Sequence, residues 1–401
     1  MPTWRSANQI FPGSHAYLRR SDSMKIVEVQ WHNYRLPLLN SFNTAHGLMT
    51  AREGILVQIT AERGISGIGE IAPLPAFGGA SLADAGSLLP ALVARLLNKT
   101  LDEALDLVRA ECKTGTKVAS AFSTPALCGL EIALLDAIGK AEGCGVCTLL
   151  SPPGTASRAA VPVNAVIGAL ALGDAIAAAR GARKDGYRCV KLKVGLGGSI
   201  QEEIERVAAV REAIGSAMHL RLDANEAWKL EEAIAILSQC VPFNIQYVEQ
   251  PLSAHDLAGM HALRQAVSMP IAVDEALHRF ESAQLVLDNE AADVLVIKPQ
   301  LVGGLHVGQQ IIQAATERGV RSVITSTIES GIGLVAALHL VAASPAVTLE
   351  CGLATLHLLV DDLVMNDLSI RDGFLTVPTG PGLGITLDGE ALDRYSLRGF
   401  D

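Results

Sequence analysis

Five short apolar runs, each ending in charge, recur along the second half of this sequence: Cys189-Val-Lys-Leu-Lys-Val194, Arg221-Leu-Asp-Ala-Asn225, Tyr247-Val-Glu-Gln-Pro251, Ile271-Ala-Val-Asp-Glu275 and Val294-Leu-Val-Ile-Lys-Pro299. Runs of this length, separated by Ala-rich amphipathic segments, fit strands of a parallel sheet buried on both faces. Charge gathered at their carboxyl ends is where a barrel of such strands carries its site. Extended in both directions, the pattern gives strand ends near Ala165, Val194, Asn225, Gln250, Glu275, Pro299, Thr327 and Gly352, a spacing of about 25 to 30 residues that suits strand-helix units. Eight strands with seven intervening helices specify an α/β fold, a (β/α)7β TIM-like barrel. The expected barrel covers residues 156–365.

The first part of the chain reads differently. Alternation over Ile26 to Leu36, Gly54 to Ile59 and Gly64 to Ile71 predicts a three-stranded antiparallel meander. Ser81-Leu-Ala-Asp84 has the spacing of a capping box and opens an apolar-striped helix to about Leu97. Further helices are expected near Leu101 to Glu111 and Ser120 to Gly143. Strands followed by helices give an α+β N-terminal capping domain over residues 24–155, completed by a tail at 366–401. Residues 1–23 lack sustained periodicity and read as a loose extension. The turn-rich stretches Asn40 to Gly47 and Gly69 to Gly78 suit either plain loops or lids over a pocket. Ser199-Ile-Gln-Glu202 is a second capping box, at the start of the helix after the second barrel strand.

With 401 residues, 49% of them hydrophobic, each domain can bury a core of its own. A formal net charge of −10 argues against a nucleic-acid or anionic-membrane partner. Seven cysteines lie scattered, and no signal peptide or apolar run of about 18 residues is evident. The expectation is a reducing, cytoplasmic protein without disulfides. Cys144-Gly-Val-Cys147 has CxxC spacing, yet no second pair completes a zinc site, so two packed thiols in a turn are expected.

The chemistry concentrates at the strand ends. Asp223, Glu249 and Asp274 close three consecutive strands, and three converging anions repel unless something neutralises them. A hard divalent cation does so; Mg²⁺, with Mn²⁺ as the alternative, suits a set of carboxylate oxygens. Glu275 rivals Asp274, but strand phase puts Ala272 and Asp274 on the inward face. Lys191 and Lys193 share one face of the second strand, and Lys298 ends the sixth, across the barrel mouth. A metal flanked by lysines suits proton abstraction beside a carboxylate: the cation stabilises the dianion that forms when a neutral lysine removes the α-proton. The positive charge of Lys191 and of the metal favours a neutral Lys193.

Together these residues resemble the muconate-lactonizing subgroup of the enolase superfamily. The marks are Lys-x-Lys (Lys191, Lys193), Asp-x-Asn (Asp223, Asn225), Val-Glu-Gln-Pro (Glu249), Asp-Glu (Asp274) and Lys-Pro-x-x-x-Gly-Gly (Lys298 to Gly304), in order from strand to strand. The resemblance implies a capping domain over a (β/α)7β barrel, Mg²⁺ at the three carboxylates, and lysine acid/base chemistry through an enediolate. Within the subgroup, Gly69 to Pro75, His219 to Asn225, Thr325 to Ser330 and Gly352 to Leu356 are most similar to the o-succinylbenzoate synthases, dehydratases of menaquinone biosynthesis. That likeness implies substrate contacts from Arg221, Ser326 and the Gly303-Gly304 backbone, with Lys191 at their side. Glu226 stands where some relatives carry a basic residue, and is expected to point away from the metal. The implied partner is a small carboxylate substrate. Racemisation of N-acylated amino acids or epimerisation of dipeptides by the same two lysines is the rival activity, and a catalytically silent scaffold is the alternative from another class. The oligomeric state is open.

Overall fold

The computed structural model describes residues 20–44, 47–75, 79–112 and 123–397. The first 19 residues of the expected extension therefore lie outside it, whereas Arg20–Ser23 forms a 3-10 turn in which Ser21 donates from both its amide and hydroxyl to Glu142.

The meander is present, its first two strands longer and its third shorter than alternation suggested. β1 (Ile26–Thr44), β2 (Gly47–Ala61) and β3 (Ser66–Ile71) pair antiparallel in that order. The stretch Asn40 to Gly47, read as a loop or lid, is largely the far end of the β1-β2 hairpin, where Phe42 pairs with Met49 and Thr44 with Gly47; residues 45–46 fall outside the described residues. Three helices follow: α1 (Leu82–Leu96), α2 (Leu101–Glu111) and α3 (Thr124–Glu142). Ser81 caps α1 through the reciprocal box with Asp84, and Thr100 caps α2 with Glu103.

Helix α3 is buried on nearly every side because it is sandwiched between the meander and the barrel. Its approach to β3 depends on two glycines: a Cβ on Gly67 would lie 2.1 Å from the Ala133 carbonyl oxygen, and one on Gly69 equally close to that of Gly129. The helix also brings carboxylates to orphan backbone donors. Asp136 accepts from the amides of Ile68 and Leu383, tying β3 to the C-terminal tail. Glu131 accepts from Leu305 and His306, the first amides of a barrel helix.

After α4 (Val146–Leu150) and the short β4 (Ala160–Pro162), the chain enters the barrel. Its strands and helices are β5 (Ala165–Ile167), α5 (Leu172–Lys184), β6 (Cys189–Lys193), α6 (Ile200–Ile214), β7 (His219–Asp223), α7 (Leu230–Cys240), β8 (Ile245–Glu249) and α8 (Leu257–Ala266). They continue with β9 (Ile271–Val273), α9 (Phe280–Asp288), β10 (Val294–Ile297), α10 (Pro299–Val302), α11 (Leu305–Glu317), β11 (Arg321–Ile324) and α12 (Gly331–Ala342). Strands β5 to β11 pair in parallel in sequence order. Parallel bridges from Cys351 to Val163 and from Gly352 to Thr325 close the ring, so the eighth strand is reduced to a few residues. The Ser199 box opens α6 as its spacing predicted.

Inside the ring, Tyr247, Ala272, Val294, Val296 and Val323 form an apolar cluster separate from the main core. The tail passes through β12 (Phe374–Thr376), paired with β4, and α13 (Gly389–Tyr395) to Ser396, which bridges Tyr34 of β1. No described helix is long and apolar enough to cross a membrane. All seven cysteines are free thiols; Cys144 and Gly145 lie in the turn against Gly382, whereas Cys147 is already in α4, its amide donating to His339 Nδ1, so the two thiols do not share one turn.

Candidate active site

Strand register lines the site up in rows. Lys191, Arg221 and Tyr247 stand side by side on β6, β7 and β8, and Lys193, Asp223 and Glu249 form the next row toward the carboxyl ends. Because inward positions alternate, both rows point into the barrel. Lys191 reaches into the row beyond its own, its Nζ lying 2.8 Å from Asp223 Oδ2 and 2.6 Å from Glu249 Oε1. Lys193 Nζ donates to Asp223 Oδ2 at 2.8 Å and to Asn225 Oδ1 at 2.6 Å. Across the mouth, both oxygens of Asp274 accept from Lys298.

The electrostatics follow from burying this many charges together. Burial opposes the charge of Lys191, but Asp223 and Glu249 outweigh it and hold the ammonium well above its ordinary range. Lys298 is raised in the same way, burial again being outweighed by Asp274 and Glu275. Burial works against Asp223 as well, yet Lys191 and Lys193 keep its carboxyl well below the usual carboxylate range. Glu249 goes the other way: burial first, then repulsion from Asp223, pushes its carboxyl up, and Lys191 offsets this only in part. Its second oxygen, Oε2, is buried with no hydrogen-bond partner. A buried carboxylate oxygen without a donor costs free energy on the order of 1–3 kcal/mol, and more if charged.

The expected convergence of three carboxylates takes a different form here. Among the described residues no group of three His, Cys, Asp or Glu side chains stands close enough to hold a metal ion. The reason is the lysines: Lys191 and Lys193 gather Asp223 and Glu249, while Lys298 takes Asp274.

The choice between Asp274 and Glu275 also resolves in both directions. Asp274 faces Lys298, and Glu275 accepts from Asn225 Nδ2 at 2.8 Å while its Oε2 is buried without a partner. Asn225 and Glu226 both have positive φ, 42° and 66°, so the chain turns sharply just past the β7 end. Glu226 accepts from the Ala254 amide, outside the cluster around Lys193.

Arg221, which the resemblance pointed at substrate, has a fully enclosed side chain that runs toward the amino ends of the strands. Its Nε donates to Gln246 Oε1, Nη1 to Asn164 Oδ1 and the Glu350 carbonyl, and Nη2 to Glu350 Oε2, while the guanidinium stacks 4.7 Å from the centre of the Tyr247 ring.

Ser326, at the β11 end, shares a hydrogen bond with Thr355 and accepts from the Ile328 amide. Gly303 and Gly304 adopt φ of 105° and 128°, where a side chain is strained, and lie against the capping domain: the Gly303 carbonyl accepts from Cys112, and a Cβ on Gly304 would meet Glu131 Oε2 at 2.2 Å. Sequence reasoning missed Gln250 and Gln300. The buried Gln250 Oε1 accepts from the Asp274 amide and so fixes the β9 end. Gln300, two residues past Lys298, bonds to the capping domain.

The comparisons with known proteins agree with this architecture. Residues 23–151 match the family described as "Mandelate racemase / muconate lactonizing enzyme, N-terminal domain", and residues 174–391 match "Enolase C-terminal domain-like". The chain belongs to the enolase superfamily. The L-Ala-D/L-Glu epimerase of Bacillus subtilis (strain 168) is 30% identical over 90% of this chain and 97% of its own length. The o-succinylbenzoate synthase of Thermobifida fusca (strain YX) is 38% identical over 55% of this chain and 67% of its own. Among solved structures, a muconate lactonizing enzyme from Pseudomonas fluorescens complexed with muconolactone superposes with a TM-score of 0.84 at 26% identity, covering 93% of this chain and 99% of that one. This enolase-superfamily chain is thus similar to enzymes whose named activities differ.

Proposed function

We propose that this enzyme is an o-succinylbenzoate synthase, dehydrating 2-succinyl-6-hydroxy-2,4-cyclohexadiene-1-carboxylate with the help of Mg²⁺. The observation that carries the reading is the fate of Glu350. Dipeptide epimerases of the superfamily resemble one another in holding the substrate ammonium with an Asp-x-Asp at the end of the eighth strand. Here the corresponding segment runs Glu350-Cys-Gly-Leu-Ala-Thr355, and its one carboxylate is committed to Arg221 and His219 at the amino ends of the strands. A cationic amino terminus at the mouth would be buried without a partner from this segment, at a cost of several kcal/mol. A substrate with carboxylates and no ammonium avoids that penalty. The partial identity to the Thermobifida enzyme points the same way.

Asp223, Glu249 and Asp274 would hold the metal only if it drew them from the lysines that now gather them apart, and the partnerless Glu249 Oε2 is the carboxylate atom left to meet it. Mg²⁺ bound there would supply charge stabilisation for a substrate carboxylate. In this reading Lys193 takes the α-proton at Nζ and then gives it to the departing hydroxyl, which leaves as water as the C–O bond breaks. Asn225 and Asp223, its present partners, aim it from the β6-β7 side. Lys298 stays charged and faces the negative charge developing on the substrate, as its raised pKa suits. Lys191 is a fixed cation between Asp223 and Glu249. The test is turnover of the dehydration substrate by purified protein with Mg²⁺, alongside deuterium uptake at the α-carbon of N-succinylamino acids. N-succinylated amino acids also lack the ammonium, so a higher kcat/KM for any of them would replace the lyase reading with racemisation.

A further inference from the structure

We infer that Arg52, assisted by Gln300, is a positioning residue that sets the capping domain's stretch Ala72–Pro75 against the barrel mouth, an inference whose kinetic half rests on the function proposed above. Arg52 lies on β2, outside the catalytic cluster, and is 3% exposed. Its guanidinium donates only to main-chain carbonyls, and these come from three separate segments. Nε reaches Thr327 at 3.0 Å, just past the β11 end; Nη2 reaches Ala72 at 2.5 Å and Nη1 reaches Pro73 at 2.7 Å; Nη1 also reaches its neighbour Glu53 at 2.8 Å. Gln300 supplies the second attachment from the β10 end, accepting from the Ala72 amide at 3.0 Å and donating to the Glu70 carbonyl at 2.8 Å. Ala72 is therefore held to two successive barrel strand ends, one carrying Lys298 and the other Ser326.

The geometry argues that position, more than cohesion, is what Arg52 provides. A planar fork of donors dictates the relative placement of the carbonyls it holds, whereas an apolar contact would let them slide. The barrel segment it grips is itself strained: Ile328, a β-branched residue, has φ of 62°, in the left-handed region. Strain of this kind persists only when neighbours over-determine the backbone. They do so here: Thr327 donates its amide to Glu329, Ser330 donates amide and hydroxyl to Glu70 of β3, and Arg52 takes the Thr327 carbonyl. Losing the guanidinium frees the mouth segment and the capping stretch together. Misplacement of a binding wall by about an ångström is enough to cost up to about 10²-fold in rate or affinity.

The test uses the full-length protein with Arg52→Ala, Arg52→Lys and Gln300→Leu. Arg52→Ala should raise KM for the dehydration substrate by roughly tenfold or more while kcat changes less, since remote positioning acts on substrate placement. Added guanidinium chloride, at concentrations that leave the wild type unaffected, should restore KM toward wild type in Arg52→Ala and do nothing for Gln300→Leu. Hydrogen exchange read without substrate should be faster at the Ala72 and Ser330 amides in Arg52→Ala. If Arg52→Ala does not fold, Arg52→Lys and Gln300→Leu carry the same KM and exchange measurements. Unchanged exchange at both amides overturns the inference, as does a fall in thermal midpoint with KM unaltered or a KM defect that guanidinium leaves untouched. If the wild type fails to turn over the dehydration substrate, the proposed function falls, while the exchange experiment still decides the role of Arg52.

Discussion

The two ends of one barrel handle buried charge in opposite ways. Near the amino ends of the strands, Arg221 is fully enclosed, yet each of its nitrogens has a partner, and Glu350 completes the set with His219. At the mouth, two lysines share Asp223, and both Glu249 and Glu275 keep a buried oxygen with no donor. A closed network of charges rigidifies a fold; a buried carboxylate oxygen with no donor calls for an account in strain, catalysis or ligand binding. In the function proposed above, the contrast gives Arg221 an architectural part and leaves the chemistry to Lys191 and the row beyond it, although Arg221 and Asp223 sit on the same strand.

The largest effect that could break this division is at Lys193. Lys193→Ala should lower turnover by about 10² to 10⁴-fold, the usual share of a general base, with the thermal midpoint little changed. Near wild-type turnover in that variant would move the base elsewhere. Next comes the metal: excess chelator should abolish turnover and Mg²⁺ restore it, and Glu249→Gln should cost about 10²-fold. Full activity in chelator would leave the partnerless oxygen of Glu249 without its proposed purpose.

The amino-terminal end should respond in stability instead. Arg221→Met strands the Glu350 carboxylate and should cost about 3 kcal/mol, the low end for breaking a buried ion pair, while any folded fraction keeps its KM. A normal midpoint with a raised KM would return Arg221 to the substrate. The smallest effect is in pH. Burial opposes ionisation of Glu350, but Arg221, the backbone and His219 hold its carboxyl below the ordinary range. A depressed carboxyl stabilises the fold above its unfolded value and loses that contribution as pH falls through the folded one. Thermal midpoints followed from about pH 6 to pH 3 should therefore drop more steeply in the wild type than in Glu350→Gln. Parallel curves would show that Glu350 adds nothing.

Much of this was legible in the linear sequence because period and punctuation are local properties. The runs ending at Val194, Asn225, Gln250, Glu275 and Pro299 marked barrel strands, and the boxes at Ser81 and Ser199 marked helix starts within a residue of where they lie. Alternation also put Lys191 and Lys193 on one face, and register then placed Lys193, Asp223 and Glu249 in a single row. The extent of the β1-β2 hairpin was not legible, since Asn40 to Gly47 carries the composition of a loop and becomes strand only through its pairing partner.

What the sequence determined by itself was which residue types stand at which strand ends, and that is enough to specify a barrel and a charged mouth. Only the tertiary structure decided where each long side chain goes from its strand. Arg221 and Asp223 share a face, yet one side chain runs down to Glu350 and the other stays with the lysines. Arg52 and Gln300, unremarkable in the linear chain, meet across the domain junction on either side of Ala72. Strand phase fixes a face, while the reach of an arginine, lysine or glutamine along that face depends on which partners, from segments up to 275 residues away, close around it.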